Sequence, residues 1–187
     1  GHGPSDGRDS HFNLPGKDLS SAGLKELLSK LQRELVIIDN TAASGSFIPA
    51  LSNARCTIVT ATKGPDEVYF ARFGLFFAQA IAGNNEADRD QDEQVSVLEA
   101  FLFAAGKTAQ FYEKEGRIAT EHALLDDNAD KQGTRSEAFT GLKGKPVSET
   151  ASPDGVRAAQ LHLAPNETER NLPPEARATR DNLEAEV

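Results

Sequence analysis

Leu35 to Asp39 (L-V-I-I-D) is a largely β-branched run with no polar alternation, the pattern of a strand covered on both faces. Thr57 to Thr62 (T-I-V-T-A-T) repeats that character a short distance on. Two buried strands joined by a short crossing segment predict a parallel sheet, and such a sheet needs helices on both sides. The chain offers them. Ser20 to Arg33 carries Leu24, Leu27, Leu28 and Leu31 at helical spacing, with Ser20 or Ser21 available as N-cap. Val68 to Ala82 and Ser96 to Glu115 predict two more helices. The expected architecture is therefore α/β: a three-layer α/β/α sandwich with a mostly parallel sheet. In such sheets ligands and reactive groups gather in loops at the carboxyl ends of the strands, here Asn40 to Phe47 and Lys63 to Glu67.

A length of 187 residues suits one domain, and 38% hydrophobic residues with 15 Gly besides can supply its core. All ten Phe and both Tyr lie between Phe12 and Phe139, which puts that core in residues 1–140. Residues 141–155 have linker chemistry. Residues 156–164 (V-R-A-A-Q-L-H-L-A) predict a strand, and 165–187 a second linker with the start of a truncated helix from Pro174, able to pair with another helix. The chain contains no Met, initiator included, so a piece of a longer or processed protein is expected.

A net charge of -9 and a pI near 4.9 argue against nucleic acid as partner, because phosphate binding draws on clustered Lys and Arg. The apolar stretches are far shorter than the ~20 residues a membrane span requires. A protein or peptide is the expected partner. The single cysteine, Cys56, stands in an apolar run and reads as a buried small hydrophobe. His11, His122 and His162 are scattered and no cysteine accompanies them, so they do not compose a zinc site.

Gly1-His2-Gly3, the turn Asn40-Thr41-Ala42-Ala43-Ser44-Gly45-Ser46-Phe47 and the later Thr60-Ala61-Thr62 resemble, in order and separation, the marks of caspase- and legumain-type cysteine peptidases. The likeness is nearest to the bacterial legumain-like branch, includes A-T-E-H-A-L-L-D-D-N at Ala119 to Asn128, and covers roughly residues 1 to 140. It implies a caspase-like fold whose first strands precede this chain. It also places His2 on the catalytic histidine, Gly3 on an oxyanion-binding backbone N–H, and Ala42 on the nucleophilic cysteine. A methyl group cannot attack a carbonyl, so the family mechanism is closed in this sequence. Thr41 and Ser44 are hydroxyl alternatives in the same turn, weighed against ordinary turn chemistry. The leading expectation is a nucleophile-lacking domain acting in binding or scaffolding. The alternatives are a cysteine endopeptidase whose Cys has been replaced at Ala42, a Ser/Thr-nucleophile hydrolase, and a calcium-dependent interaction module.

That last alternative comes from Asp88 to Glu99 (D-R-D-Q-D-E-Q-V-S-V-L-E). Asp88, Asp90, Asp92, Ser96 and Glu99 occupy positions 1, 3, 5, 9 and 12 of a calcium loop, with a backbone carbonyl from Gln94. Glu93 stands where the loop calls for Gly, and the turn there requires a positive φ. Asp126, Asn128 and Asp130, with Thr134 and Glu137, repeat the spacing as a weaker second candidate in which Lys131 takes the glycine position. Calcium is the one candidate cofactor. Acidic capping of the helix from Ser96 and an Asn/Asp surface turn are the structural readings of the two loops.

Overall fold

The computed structural model describes residues 10–146 and 152–185. A short antiparallel pair, β1 (His11–Phe12) and β2 (Leu19–Ser20), leads into α1 (Ser21–Ser29), which Ser20 caps by accepting from Gly23 N–H. Then come β3 (Leu35–Asp39), a 3₁₀ turn over Ser44–Phe47, α2 (Ile48–Leu51) and β4 (Cys56–Thr60). The helices α3 (Phe73–Ile81) and α4 (Val97–Lys114) precede β5 (Leu124–Asp126) and β6 (Thr134–Arg135). A hairpin of β7 (Phe139–Thr140) and β8 (Lys143–Gly144), then α5 (Glu167–Arg170) and α6 (Pro174–Ala185), complete the order. No helix among the described residues is long and apolar enough to cross a membrane.

The main sheet runs β3-β4-β5-β6. Only β3 and β4 pair in parallel, with Leu35 opposite Cys56 and Asp39 opposite Thr60; β4–β5 and β5–β6 are antiparallel. The expected mostly parallel sheet is thus corrected to a mixed one. The cause is the number of helical passages between strands. One short passage returns the chain to the edge where β3 began, whereas the packed pair α3 and α4 brings it back to the edge where β4 ended. His122, just ahead of β5, accordingly donates its N–H to Glu67, just beyond β4.

Helices cover both faces, and alternation along the strands assigns each side chain to its layer. Val36, Ile38, Val59 and Leu125 pack with Phe73, Phe77, Leu98 and Phe101 of α3 and α4. Leu35, Ile37, Ile58 and Leu124 pack on the other face with Leu24, Leu28, Phe47 and Ile48. The outer two leucines of the predicted α1 stripe, Leu27 and Leu31, are exposed.

Three element expectations change for identifiable reasons. α3 begins at Phe73 rather than Val68 because the buried Glu121 carboxylate accepts from the N–H groups of Arg72 and Phe73 and fixes the helix start there. The expected strand over 156–164 is instead a turn and a 3₁₀ segment over Ala158–Gln160, with a lone bridge from His162 to Ser96. Asp127 takes the N–H groups of Gly155, Arg157 and Ala158 on its carboxylate, which forces the chain to coil there. Within the expected linker 141–155, the described residues include β8, the buried Asp154 and Leu142, which packs against the core cluster that holds the α4 side chains.

Candidate functional site

The turn beyond β3 sits at the carboxyl edge of the parallel pair. Asp39 ends the strand buried, and its Oδ1 accepts from Thr41 N–H at 2.9 Å and Thr41 Oγ1 at 2.7 Å. Burial pushes the Asp39 carboxyl above its usual range, and the two Thr41 bonds only partly offset this. Ala42 and Ala43 follow, both buried, and Ala43 adopts φ +57° with its N–H on the Glu67 carbonyl at 2.9 Å. Ser44 is fully buried: its Oγ lies 3.0 Å from Thr62 Oγ1 and accepts from Thr62 N–H at 3.1 Å. Gly45 is required by packing, since a Cβ there would lie 2.4 Å from the Lys63 carbonyl carbon.

The Thr41 and Ser44 hydroxyls are therefore both spent on internal bonds, one closing the turn on Asp39 and the other tying it to the end of β4. The side chain at the very position of interest, Ala42, is a methyl group. His2 and Gly3, which the family resemblance pairs with this turn, lie outside the described residues.

Two groups at this edge were given no role by sequence reasoning. Glu67 holds the turn through its carbonyl, while its carboxylate accepts from the N–H groups of Lys63 and His122 and pairs with His122 Nδ1. Burial pushes Glu67 upward, but the Lys63 and His122 hydrogen bonds and the His122 charge outweigh it and hold the carboxyl below its usual range. His122 borders a cleft of about 450 Å³ whose walls include Phe73, Leu102, Glu121 and Phe139. The only sequence signal for this pairing was the A-T-E-H segment itself, because its partner lies 55 residues away.

In the first acidic loop, ligand oxygens of Asp88, Asp90 and Glu99 all lie within 4.8 Å of one another. Glu99 is the buried hub. Its Oε1 accepts from Arg89 N–H at 2.7 Å and Asp90 N–H at 3.3 Å, and its Oε2 from Ser96 N–H at 2.9 Å and Ser96 Oγ at 2.8 Å. With Ser96 Oγ accepting from Glu99 N–H, this is a complete capping box on α4. Asp88 accepts from the N–H groups of Gln91 and Glu93, and Glu93 has φ +70°, the conformation its place in the loop demands. Asp92 accepts from Gln94 N–H, and the Gln94 amide donates to Glu169. Slight desolvation, followed by the charges of Glu99, Asp92 and Asp88, raises the carboxyl of the exposed Asp90. The arrangement can hold one hard cation through the three clustered carboxylates, while Ser96 serves the helix.

The second loop places Asp126 at the end of β5 and Asn128 and Asp130 in the coil that follows. Thr134 Oγ1 donates to Asp154 at 2.5 Å, and Glu137 is exposed and paired with Arg135. Burial drives the Asp154 carboxyl up to about 7, against the pull of Thr134 and the Asp127 N–H, with the charges of Asp127 and Asp126 adding to the rise. Cys56, the first residue of β4, is buried at the opposite, amino end of the sheet, and burial pushes its thiol upward. It stands far from the Ala42 turn in chemical role as in position. No protein-family profile matches the chain, and neither curated proteins nor solved structures yield a match.

Proposed function

We propose that this chain is a caspase/legumain-like domain in which Ala42 stands in the nucleophile position and which binds protein or peptide instead of cleaving it. The observation that carries this reading is the chemistry of the edge turn. It lies where a strand-end nucleophile would be presented, yet it offers a methyl group flanked by two hydroxyls committed to Asp39 and Thr62. Ser44 faces another hydroxyl rather than a base, and Thr41 closes the turn on Asp39 two residues before it, so neither stands in the nucleophile–base–orienter arrangement of covalent catalysis. The chain is expected to hydrolyse no peptide substrate. Ser44→Ala is expected to lower stability by about 1–3 kcal/mol, since it strips Thr62 N–H of its buried acceptor, and chemical denaturation measures this. Peptide hydrolysis by the unmodified chain that vanishes in Ser44→Ala would establish the hydroxyl-nucleophile reading instead.

A cation-dependent role for the first loop is favoured by a separate observation, the convergence of Asp88, Asp90 and Glu99. Calcium is expected to raise the melting temperature, and magnesium less, because it resists surrendering its water shell. Asp90→Asn should remove the first loop's share of the calcium response while leaving the capping box intact. Glu99→Gln should both remove it and cost about 1–3 kcal/mol without calcium, by leaving loop and cap donors without an acceptor. A calcium response unchanged in Asp90→Asn would leave helix capping as the sole role of the cluster.

A further inference from the structure

We propose that the loop from Asp126 to Thr134 is a second, independent calcium site, with Asp126, Asn128 and Asp130 as its side-chain ligands. The decisive feature is one atom. Asp126 is 1% exposed, and its Oδ2 is buried without a hydrogen-bond partner among the described residues. Its Oδ1 accepts from Ala129 N–H at 3.3 Å, inside the loop, so the carboxyl is turned toward the loop interior, where Asp130 is a charged neighbour. A buried carboxylate oxygen with neither donor nor cation is costly.

The neighbouring acids do not share this deficit. Asp127 gives both oxygens to Gly155, Arg157 and Ala158, and Asp154 gives both to Asp127 N–H, Asn128 N–H and Thr134 Oγ1. These two carboxylates clasp the loop to residues 154–158 and are fully used. Asp126 and Asp130 enter none of the ion pairs among the described residues. Ser52 hydrogen-bonds the Asp126 carboxyl and eases its burial while accepting from Lys131 N–H, but a hydroxyl brings no positive charge to it. The interior is therefore left with acidic oxygen that the protein itself does not neutralise.

The backbone is already coiled as a cation loop would need. Asn128 Oδ1 accepts from Asp130 N–H and Asp130 Oδ1 from Gln132 N–H, and the Asn128 amide donates to Asp130 Oδ2 and to the Ser152 carbonyl. Ala129 and Lys131 adopt φ +68° and +67°, matching Gln91 at +62° and Glu93 at +70° in the first loop. Mixed carboxylate and amide oxygens in a flexible coil suit calcium better than magnesium, which demands near-octahedral geometry. Glu137 points away into its pair with Arg135 and leaves no bidentate closing ligand, so affinity in the range of about 10⁻⁴–10⁻³ M is expected.

A calcium titration of the isotope-labelled chain, followed by backbone amide NMR, reads both loops separately. Saturable movement of the Ala129 to Gln132 amides is expected, persisting in an Asp88→Asn/Asp90→Asn variant and lost in Asp130→Ala, with the first-loop amides unaffected by the latter. Asp126→Asn should also lose it, while melting no lower than the parent without calcium, because the unmatched charge is gone. Amides that stay fixed at 10 mM calcium, roughly ten times the weaker end of that range, or that move equally in Asp130→Ala, would overturn the proposal and leave a protonated Asp126 in a structural turn.

Discussion

Alanine in place of Asp127 is expected to lower the free energy of unfolding by about 3–5 kcal/mol, more than any surface change in the chain. The carboxylate accepts three backbone N–H groups from Gly155, Arg157 and Ala158, and Gly155 and Ala158 are buried. Each donor left without an acceptor costs about 1–3 kcal/mol, and partial relaxation keeps the total below the simple sum. The loss propagates, because the same turn delivers Ala158 to the face of α4 and Asp154 to the loop after β5. Urea unfolding should show a lower midpoint with an unchanged slope. A shift below about 1 kcal/mol would mean that residues 154–158 are held by their own packing rather than by this clasp.

Ala42→Cys is expected to change activity more than any other single substitution. If Ala42 stands in a nucleophile position as proposed, a thiol there, with His2 as its base, should bring peptide hydrolysis up by about 10²-fold or more over the parent background. Gly45 allows close approach to the Lys63 backbone, Ser44 anchors the turn to Thr62, and Ala43 N–H is fixed on Glu67. Ala42 is 6% exposed, so the volume of one added sulfur atom must be taken up locally.

The two strands that build this edge were legible because each is a run of β-branched residues long enough to show its burial; the first lies where expected, at Leu35–Asp39, and the second, expected over Thr57 to Thr62, runs over Cys56–Thr60. The α4 start was equally plain, since Ser96 and Glu99 stand at capping-box spacing. β5 and β6 were not anticipated: strands of three and two residues are too short to display a period. The apolar alternation of Val156 to Ala164 predicted a strand because nothing local reveals that Asp127, 28 residues before Gly155, captures its backbone. In the same way the sequence supplied the spacing of both acidic loops and the strained position of Glu93, but not the orphaned oxygen of Asp126, which depends on burial beneath the sheet end. The Glu67–His122 pair was hidden for the reason that hides most sites: its members meet only when two strands become neighbours.

The most direct test of the peptidase-derived reading is the pH dependence of thiol alkylation in Ala42→Cys, carried in a Cys56→Ala background so that one thiol is read. A buried thiol alone titrates above the ordinary value of about 8.5, whereas one beside a protonatable histidine forms its thiolate at lower pH. The predicted result is a thiolate appearing well below pH 8.5, with the shift abolished by His2→Ala. A thiol that titrates at or above the ordinary value and is indifferent to His2→Ala would contradict the assignment of this turn as a lost nucleophile site.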